Sequence, residues 1–260
     1  MGEDIRTAVR ETYAKIAARD GAGCCDTASD CCAPDTAEDR LGYSAAEKGS
    51  VPEGADLGLG CGNPLTIAEL QPGETVLDLG SGPGLDCFLA ANQVGRTGHV
   101  IGVDMTHGML ARARKNAESV DATNVEFRLG EIEHLPVADS TVDVILSNCV
   151  INLAPDKRPV FAEAFRVLKP GGRLAIYDIV ARGPIPDEAR ADLDLRASCV
   201  SGAIPIGEIE AMLAELGYEA VAVTPVDGSR EMIAEWAPGS DVADLVVSAK
   251  IQARRPRGDA

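Results

Sequence analysis

The sequence has no apolar run long enough to cross a membrane. A transmembrane helix needs about 20 consecutive apolar residues, and no stretch of the 260 residues approaches that length. The first residues, Met1–Arg6, also lack the apolar core of a signal peptide. We therefore expect no membrane partner and a cytoplasmic location.

Basic residues are scarce relative to acidic ones. The chain has 24 Lys and Arg against 41 Asp and Glu, a net charge of -17. Nucleic acids and anionic membranes both reward a basic face. The composition therefore predicts no nucleic-acid partner and favours small neutral or cationic ligands.

Histidine is also rare, whereas cysteine is abundant. Of the three histidines, His99 opens a predicted strand, and His107 and His134 fall in predicted loops, so none stands at a strand end as a general base. The chain has eight cysteines. In a reducing compartment such thiols are more often catalytic or metal-binding than part of a disulfide framework.

The central motif is an apolar run followed by alternating glycines. Thr75–Leu79 reads as a strand, glycines follow at positions 80, 82 and 84, and a helix-like stretch begins at Leu85. Glycines serve where the backbone takes positive φ or approaches a ligand closely. A dinucleotide fingerprint would need glycine at position 85, so we predict a cofactor seat without a pyrophosphate. The motif resembles the first motif of S-adenosylmethionine-dependent methyltransferases, which implies that Asp78 lies near the cofactor's ammonium and that Ser81 belongs to the seat.

Strands and helices alternate after this motif. Further strands are predicted at Val100–Asp104, Val125–Leu129, Val142–Ser147 and Arg173–Asp178, and helices at Met109–Val120 and Phe161–Leu168. This alternation predicts an α/β fold with a parallel sheet and helices on both faces, as in the Rossmann-like class I methyltransferases.

The remaining segments flank this sheet. Helices are predicted at Asp4–Arg19, Pro184–Ala197 and Ile206–Leu216, an antiparallel sheet edge at Tyr218–Thr224 and Val242–Ile251, and a disordered tail at 254–260. We divide the chain into an N-terminal helix and cysteine-rich loop (1–50), a cofactor-binding domain (51–180) and a C-terminal substrate-binding segment that closes the sheet (181–260).

Several predicted cofactor residues lie at strand ends, where ligands bind in such sheets. Asp104 stands 20 residues after Gly84, where an acid can accept hydrogen bonds from ribose hydroxyls. A helix N-cap is the alternative for Asp104, although Thr106 is available for that role. Glu131 and Ile132 could flank an adenine ring, or Glu131 could be an ordinary loop acid. Met105 and Asn148 complete the predicted cofactor site.

Three cysteines occupy positions that suggest chemistry. Cys61 lies in the glycine-rich Leu57–Pro64, Cys149 follows the fourth strand, and Cys199 lies in a loop of small residues. Three thiolates can hold a soft, three-coordinate centre. Trivalent arsenic bound by three sulfurs keeps a lone pair that can attack a sulfonium methyl without a general base, provided that the protein positions both groups.

The other five cysteines are read differently. Cys87 lies inside the helix after the glycine turn and is predicted to pack there. The vicinal pairs Cys24, Cys25 and Cys31, Cys32 do not show the C-x-x-C spacing of zinc knuckles. They form either an exposed loop without a specific role or a thiol group that takes part in chemistry.

The stretches Leu57–Pro64 and Ser147–Leu153 and the Cys199 loop resemble the arsenite methyltransferases, over roughly residues 5 to 250. This resemblance implies that Cys61, Cys149 and Cys199 bind trivalent arsenic. It also implies that one upstream cysteine of the Cys24–Cys32 group takes part in disulfide exchange. Cys31 and Cys32 are the candidates, and we take Cys32. The implied substrate is arsenite or its thiol adducts, the implied methyl donor is S-adenosylmethionine, and the implied reductant is thioredoxin or glutathione.

Two other functions remain open at this point. A methyltransferase acting on a quinone or sterol-like acceptor would share the fold but leave the three cysteines without a purpose. A non-enzymatic thiol sensor or metal buffer would use the vicinal cysteine pairs and would not need Asp104.

Overall fold

The computed structural model describes residues 2–18, 41–236 and 242–258. Its strands are β1 (Thr75–Leu79), β2 (His99–Asp104), β3 (Val125–Leu129), β4 (Val142–Asn148), β5 (Leu168–Ala181), β6 (Glu219–Pro225) and β7 (Val246–Arg254). The larger helices are α1 (Gly2–Ala17), α4 (Leu85–Val94), α5 (His107–Ser119), α6 (Lys157–Val167), α9 (Ile206–Glu215) and α10 (Ser229–Trp236). Shorter helices are α2 (Ala45–Gly49), α3 (Leu65–Ala68), α7 (Asp187–Ala191), α8 (Leu193–Ala197) and α11 (Val242–Leu245), with a 3-10 turn at Ile151–Leu153.

The strands form one mixed sheet in the order β3-β2-β1-β4-β5-β7-β6. Strands β1 to β5 run parallel, whereas β7 is antiparallel to both β5 and β6. The order reverses at β1, so the carboxyl ends of β1 and β4 meet at the switch point where ligands bind. The predicted α/β fold with an antiparallel C-terminal edge is confirmed.

Each face of the sheet packs against its own apolar core. Because successive strand residues point to opposite faces, Val76 packs with α4 and α5 on one side, and Leu77 packs with α6 and α9 on the other. Both side chains are fully buried. This two-sided burial explains why the central strands are almost uninterruptedly apolar.

Three predicted elements differ from the structure. Pro184–Ala197 is not one helix, because Asp192 takes an extended conformation between α7 and α8. The stretch Val242–Ile251 begins as a helical turn and becomes strand only at Val246. Strand β5 starts at Leu168, five residues before the predicted start, because Gly171 N–H donates to Arg255 O and draws the Lys169–Gly172 turn into the sheet.

The C-terminal residues up to Gly258 are ordered by contacts rather than free. The Arg255 guanidinium stacks over the Phe165 ring, with 4.9 Å between the Cζ atom and the ring centroid. Its Nη1 also donates to the Phe165 carbonyl at 3.0 Å. The prediction of a disordered tail is therefore wrong for Arg254, which belongs to β7, and for Arg255, which cation–π and carbonyl contacts fix.

The domain boundaries stay a prediction. The segment from 181 onward nevertheless completes the same sheet, since the whole of β7 pairs with residues 173–181 of β5. Across the described ranges, no helix combines the length and apolar character needed to cross a membrane.

Candidate functional site

A cavity of about 490 Å³ opens at the carboxyl ends of β1, β2 and β4 and is covered on one side by α1. This volume lies within the range of small-molecule and cofactor sites. Most of the predicted cofactor and thiol residues line it: Asp78, Gly80, Ser81, Gly82, Asp104, Met105, Ile132, Asn148, Cys149 and Cys199. The residues predicted from the sequence are therefore gathered at one cavity, and their binding roles stay a prediction.

The glycine turn supplies a cavity wall without side chains. Gly80 has φ +69°, and a Cβ there would collide with the Val150 side chain. Its N–H and that of Ser81 both donate to Val103 O, at 2.7 and 3.0 Å, which fixes the turn against β2. Gly84 does not line the cavity. A Cβ at this position would lie 2.8 Å from the Phe88 ring, so the glycine is needed for packing.

The Ser81 hydroxyl is buried and has no hydrogen-bond partner among the described residues. A buried polar atom without a partner is costly unless a ligand satisfies it. This orphaned hydroxyl, the bare glycine backbone and the acidic wall around them suit a cationic cofactor with polar groups. The residues present therefore fit S-adenosylmethionine.

Asp104 ends β2 on the cavity wall. Its Oδ2 accepts from Gly82 N–H at 3.0 Å and its Oδ1 from Thr106 N–H at 2.7 Å. Burial raises the pKa of this carboxyl, and the two backbone hydrogen bonds lower it. Thr106 is the N-cap residue of α5, as expected, although its side chain makes no capping hydrogen bond. Asp104 thus ties the glycine turn to the start of α5 on the cavity wall.

A buried carboxylate pair adjoins the turn. Burial raises the pKa of Asp86 to about 7, although a hydrogen bond of 2.6 Å from the Tyr43 hydroxyl lowers it. Burial, reinforced by the nearby Asp86 charge, also raises the pKa of Asp78 well above its ordinary value. Cys87 Sγ lies 3.3 Å from Asp78 Oδ2, so this packed cysteine also contacts the cofactor wall. A cationic ligand would offset the repulsion between these acids.

The three predicted arsenic-binding cysteines come together. The Sγ atoms of Cys149 and Cys199 lie within 4.8 Å of each other, and the Cys61 thiol interacts with that of Cys149. All three residues are buried, with 3%, 7% and 3% exposure respectively. Cys149 and Cys199 line the cavity, whereas Cys61 lies behind them. Burial raises the pKa of Cys61 and raises that of Cys149 well above its ordinary value.

Two of these cysteines occupy unusual backbone conformations. Cys149 and Cys199 have φ of 58° and 62°, in the left-handed region that ordinary side chains rarely adopt. Cys149 N–H donates to Tyr177 O at 2.8 Å, and Cys199 Sγ donates to Cys149 O at 2.6 Å. Such backbone strain persists only where the surrounding structure enforces it. Here the strained residues are the two that bring their thiols together at the cavity.

Asn148 fixes the loop that carries the third thiol. Its Oδ1 accepts from Cys61 N–H at 2.9 Å, and its Nδ2 donates to Gly62 O at 2.7 Å and to the Tyr43 hydroxyl at 3.0 Å. A Cβ on Gly62 would fall inside the Tyr177 ring. The glycines around Cys61 therefore allow close packing, and the amide predicted to bind cofactor also ties the cofactor wall to the thiol loop.

Asp178 is a fourth ligand-type residue at the thiols. One of its carboxylate oxygens and the Sγ atoms of Cys149 and Cys199 all lie within 4.8 Å of one another. Burial raises the pKa of Asp178 to about 6, while a backbone hydrogen bond from Ile179 and the charge of Lys157 lower it. The sequence placed Asp178 only as the end of a strand, since an acid after an apolar run has many roles.

Helix α1 covers the cavity beside Ile132 and Glu133. Arg6 Nε bonds Glu133 Oε1 at 3.2 Å, and Arg10 Nη2 bonds Glu131 Oε1 at 3.0 Å. Glu131 is thus engaged by α1 and does not line the cavity, whereas Ile132 and Glu133 do. The binding role predicted for Ile132 stays a prediction, and that for Glu131 loses its geometric basis.

Tyr43 and Asp86 were missed from the sequence as site residues. Tyr43 lies in no recognisable motif, and only the fold brings its hydroxyl to Asp86 and Asn148. The cysteine pairs Cys24, Cys25 and Cys31, Cys32, and with them the proposed fourth thiol, lie outside the described residues.

The chain is similar to known methyltransferases. A family described as "Methyltransferase domain" matches residues 70–233. An arsenite methyltransferase of Halobacterium salinarum is 53% identical over 99% of this chain and 68% of that protein. The human arsenite methyltransferase is 40% identical, over 61% of this chain and 44% of its own length. This chain thus spans less than half of the human protein.

Solved structures agree with the sequence relatives. The structure of an arsenic (III) S-adenosylmethionine methyltransferase from Chlamydomonas reinhardtii matches with a TM-score of 0.62 and 30% identity, over 85% of this chain and 73% of that one. The chain, with its class I sheet and its cavity for S-adenosylmethionine, belongs to the arsenite methyltransferase family.

Proposed function

We propose that this protein transfers methyl groups from S-adenosylmethionine to trivalent arsenic held by Cys61, Cys149 and Cys199, and thereby detoxifies arsenic. The observation that carries the proposal is the contact between three buried thiols, two of which face the cavity built by the glycine turn. An acceptor such as a quinone would give these thiols no role.

Arsenic capture proceeds by thiol exchange. Since burial raises the pKa of Cys61 and Cys149, these residues enter as neutral thiols. Each cysteine forms an As–S bond as the As–S bond to an incoming small thiol breaks, and its proton passes to the departing thiolate. The arsenic then has three sulfur ligands, because soft centres prefer soft donors. Its lone pair stays free.

The cavity wall formed by the glycine turn and Asp104 would position the methyl donor. S-adenosylmethionine, when bound, supplies an electrophilic methyl group on its sulfonium. The turn at Gly80–Gly82, the Ser81 hydroxyl and the Asp104 carboxylate are the groups that would hold it. The thiols hold the acceptor at the same cavity, so that the reaction needs orientation and exclusion of water rather than a general base.

The remaining parts of the proposal concern turnover. Methyl addition to the lone pair leaves pentavalent arsenic, and two cysteines, Cys32 among them, return it to the trivalent state by forming a disulfide. Thioredoxin or glutathione then reduces that disulfide to thiols. Both partners fit a cytoplasmic location, where thiols are kept reduced.

The test is methyl transfer from labelled S-adenosylmethionine to arsenite with a thiol reductant present. We expect methylated arsenic from the wild type and none from Cys149→Ser or Cys199→Ser, with cofactor binding retained in both. Cys87→Ser is the matched control for arsenic binding, because Cys87 is equally buried but lies away from the three thiols. It should still bind one arsenite.

Two results would overturn the proposal. Methylation of arsenite at the wild-type rate by Cys149→Ser would remove the thiol ligands from the mechanism. A folded wild type that binds the cofactor but methylates only a quinone or sterol-like acceptor would exclude arsenic as the substrate.

A further inference from the structure

Asp178 joins Cys149 and Cys199 in a buried cluster of three ligand-type residues. Its exposure is 2%, and its ligand oxygen shares one small region with the sulfurs of Cys149 and Cys199. Two sulfurs and one oxygen therefore lie within 4.8 Å of one another in the core, and the neighbouring Cys61 thiol, which interacts with Cys149, is the fourth candidate ligand.

The carboxylate is held rigidly yet keeps coordinating capacity. Its Oδ2 accepts from Ile151 N–H at 2.8 Å and from Asn152 N–H at 3.3 Å, and its Oδ1 accepts from Ile179 N–H at 2.7 Å. An ionised carboxylate offers about four acceptor positions. These three bonds leave one of them, on Oδ1, for another partner.

The proposed reaction on arsenic does not use this oxygen. Trivalent arsenic takes three sulfurs and must keep its lone pair free for the methyl group. A set of three sulfurs and one oxygen instead matches the four-coordinate sites of thiophilic divalent cations such as Zn²⁺.

The charges around the cluster also favour a divalent cation. Three thiolates and one carboxylate around such a cation leave an excess of two negative charges. Lys157, which is 7% exposed, interacts electrostatically with both Asp178 and Cys199, and Arg196 interacts with Cys199. These two cations balance the excess, which a buried ionic site requires. The complex of trivalent arsenic with three thiolates is neutral and does not need the charges of both Lys157 and Arg196.

We propose that Cys61, Cys149, Cys199 and Asp178 form a binding site for a thiophilic divalent cation of the Zn²⁺ and Cd²⁺ class, which competes with arsenic for the thiols. Binding forms three metal–sulfur bonds and one metal–oxygen bond, and the three thiol protons pass to solvent without any change of oxidation state. The proposal rests on the thiols of the proposed function, but Asp178 separates the two, because only the divalent cation uses it.

The experiment uses the full chain with Cys24, Cys25, Cys31 and Cys32 replaced by serine, so that the vicinal pairs cannot bind metal. Cd²⁺ affinity is measured by competition with a chelator of known affinity, and arsenite affinity by titration of the same samples. The variants compared are Asp178→Asn and, as the matched strand carboxylate away from the thiols, Asp143→Asn.

We expect one Cd²⁺ for each chain, displaced by one arsenite. Asp178→Asn should weaken Cd²⁺ binding at least about tenfold, since even the loss of an outer partner of a metal ligand costs 10–100-fold. Its arsenite affinity should change by less than about threefold, and Asp143→Asn should change neither affinity. Cys199→Ser should weaken both.

Each contrary result overturns the inference. These are absence of stoichiometric Cd²⁺ binding, an Asp178→Asn variant with unchanged Cd²⁺ affinity, and equal losses for Cd²⁺ and arsenite. If Asp178→Asn fails to fold, infrared difference spectra of Cd²⁺-loaded and free protein decide, and a missing carboxylate band shift overturns the inference. A failure of the proposed function looks different, because arsenite would then not bind or not be methylated, whatever Cd²⁺ does.

Discussion

Removing the Tyr43 hydroxyl should destabilise the protein by an amount that grows with pH. The hydroxyl is buried, donates to Asp86 Oδ1 at 2.6 Å and accepts from Asn148 Nδ2 at 3.0 Å. In Tyr43→Phe the Asp86 carboxyl loses this donor, while Asn148 keeps its bond to Gly62 O. The main effect of the substitution therefore falls on Asp86.

The pH dependence follows from the pKa of Asp86. Burial raises it from 3.8 to about 7 in the folded protein, so the folded state binds more protons than the unfolded state between these values. Stability from this group is therefore lost as pH rises through that interval. The hydrogen bond from Tyr43 lowers the pKa of Asp86, so the pKa of Asp86 is higher in Tyr43→Phe. The variant therefore goes on losing stability up to a higher pH.

The magnitude depends on the charge of the acceptor. At pH 5 Asp86 is protonated in both proteins, and the lost hydrogen bond is a neutral one, about 0.5–1.5 kcal/mol. At pH 8 the wild-type carboxylate is largely ionised, and a bond to a charged group contributes about 1.5–3 kcal/mol. The free energy of unfolding should therefore differ between wild type and variant by about 1 to 2 kcal/mol more at pH 8 than at pH 5.

The assay is urea unfolding followed by circular dichroism at both pH values. Tyr218→Phe is the matched control, because that buried hydroxyl donates at 2.9 Å to the Phe161 carbonyl, which does not titrate. Its destabilisation should be the same at pH 5 and pH 8. A Tyr43→Phe effect that is constant with pH, or that shrinks toward pH 8, would refute the link between this hydroxyl and Asp86.

Three further predictions concern stability and are measured by chemical or thermal unfolding. Asn148→Ala should cost about 2–4 kcal/mol, because each buried group left without its partner costs about 1–3 kcal/mol, and it should lower arsenite affinity as the thiol loop loosens. Gly62→Ala should cost at least about 1–3 kcal/mol by overpacking against an aromatic ring, whereas Gly49→Ala, with open space around its Cβ, should be nearly neutral. Arg255→Ala should cost about 1–2 kcal/mol through its lost stacking on Phe165 and its lost carbonyl bonds.

Each of these predictions has an opposite outcome. Unchanged arsenite affinity in Asn148→Ala would show that the thiol loop holds its place without this amide. Equal stability of the two glycine variants would contradict the close packing at Gly62. Wild-type stability of Arg255→Ala would mean that the ordered tail contributes nothing to the fold.

Local patterns were sufficient to predict the sheet and the cofactor seat. One strand ends in glycines, and later strands end in acids. Because parallel strands share their direction, all these ends meet at one edge of the sheet. Asp104 and Cys149 were found for this reason. The thiols were also recognisable, since small residues around Cys61 and Cys199 are unusual for buried, inert cysteines.

The missed features depend on contacts between distant parts of the chain. Tyr43 and Asp86 are 43 residues apart, and no local pattern pairs them. Arg255 is ordered by carbonyls about 90 residues away. The extended Asp192 between α7 and α8 is a tertiary feature, because the helical pattern of 184–197 by itself continues through it.

The position of β7 has a consequence for synthesis on the ribosome. This strand lies between β5 and β6, although it follows both in the chain. The growing chain can therefore assemble β1 to β5 early, but one edge of β5 stays unpaired until residues 246–254 emerge. An open edge of this kind is a site of wrong pairing between chains.

Translation also sets when the thiol loop is completed. The Ser248 hydroxyl of β7 donates to Cys61 O at 2.8 Å, a bond between residues 187 positions apart. The loop carrying the third sulfur thus gains this support only after nearly the whole chain has been translated. A nascent chain stalled before β7 would already present the cofactor turn, but its metalloid-capturing loop would still lack this anchor.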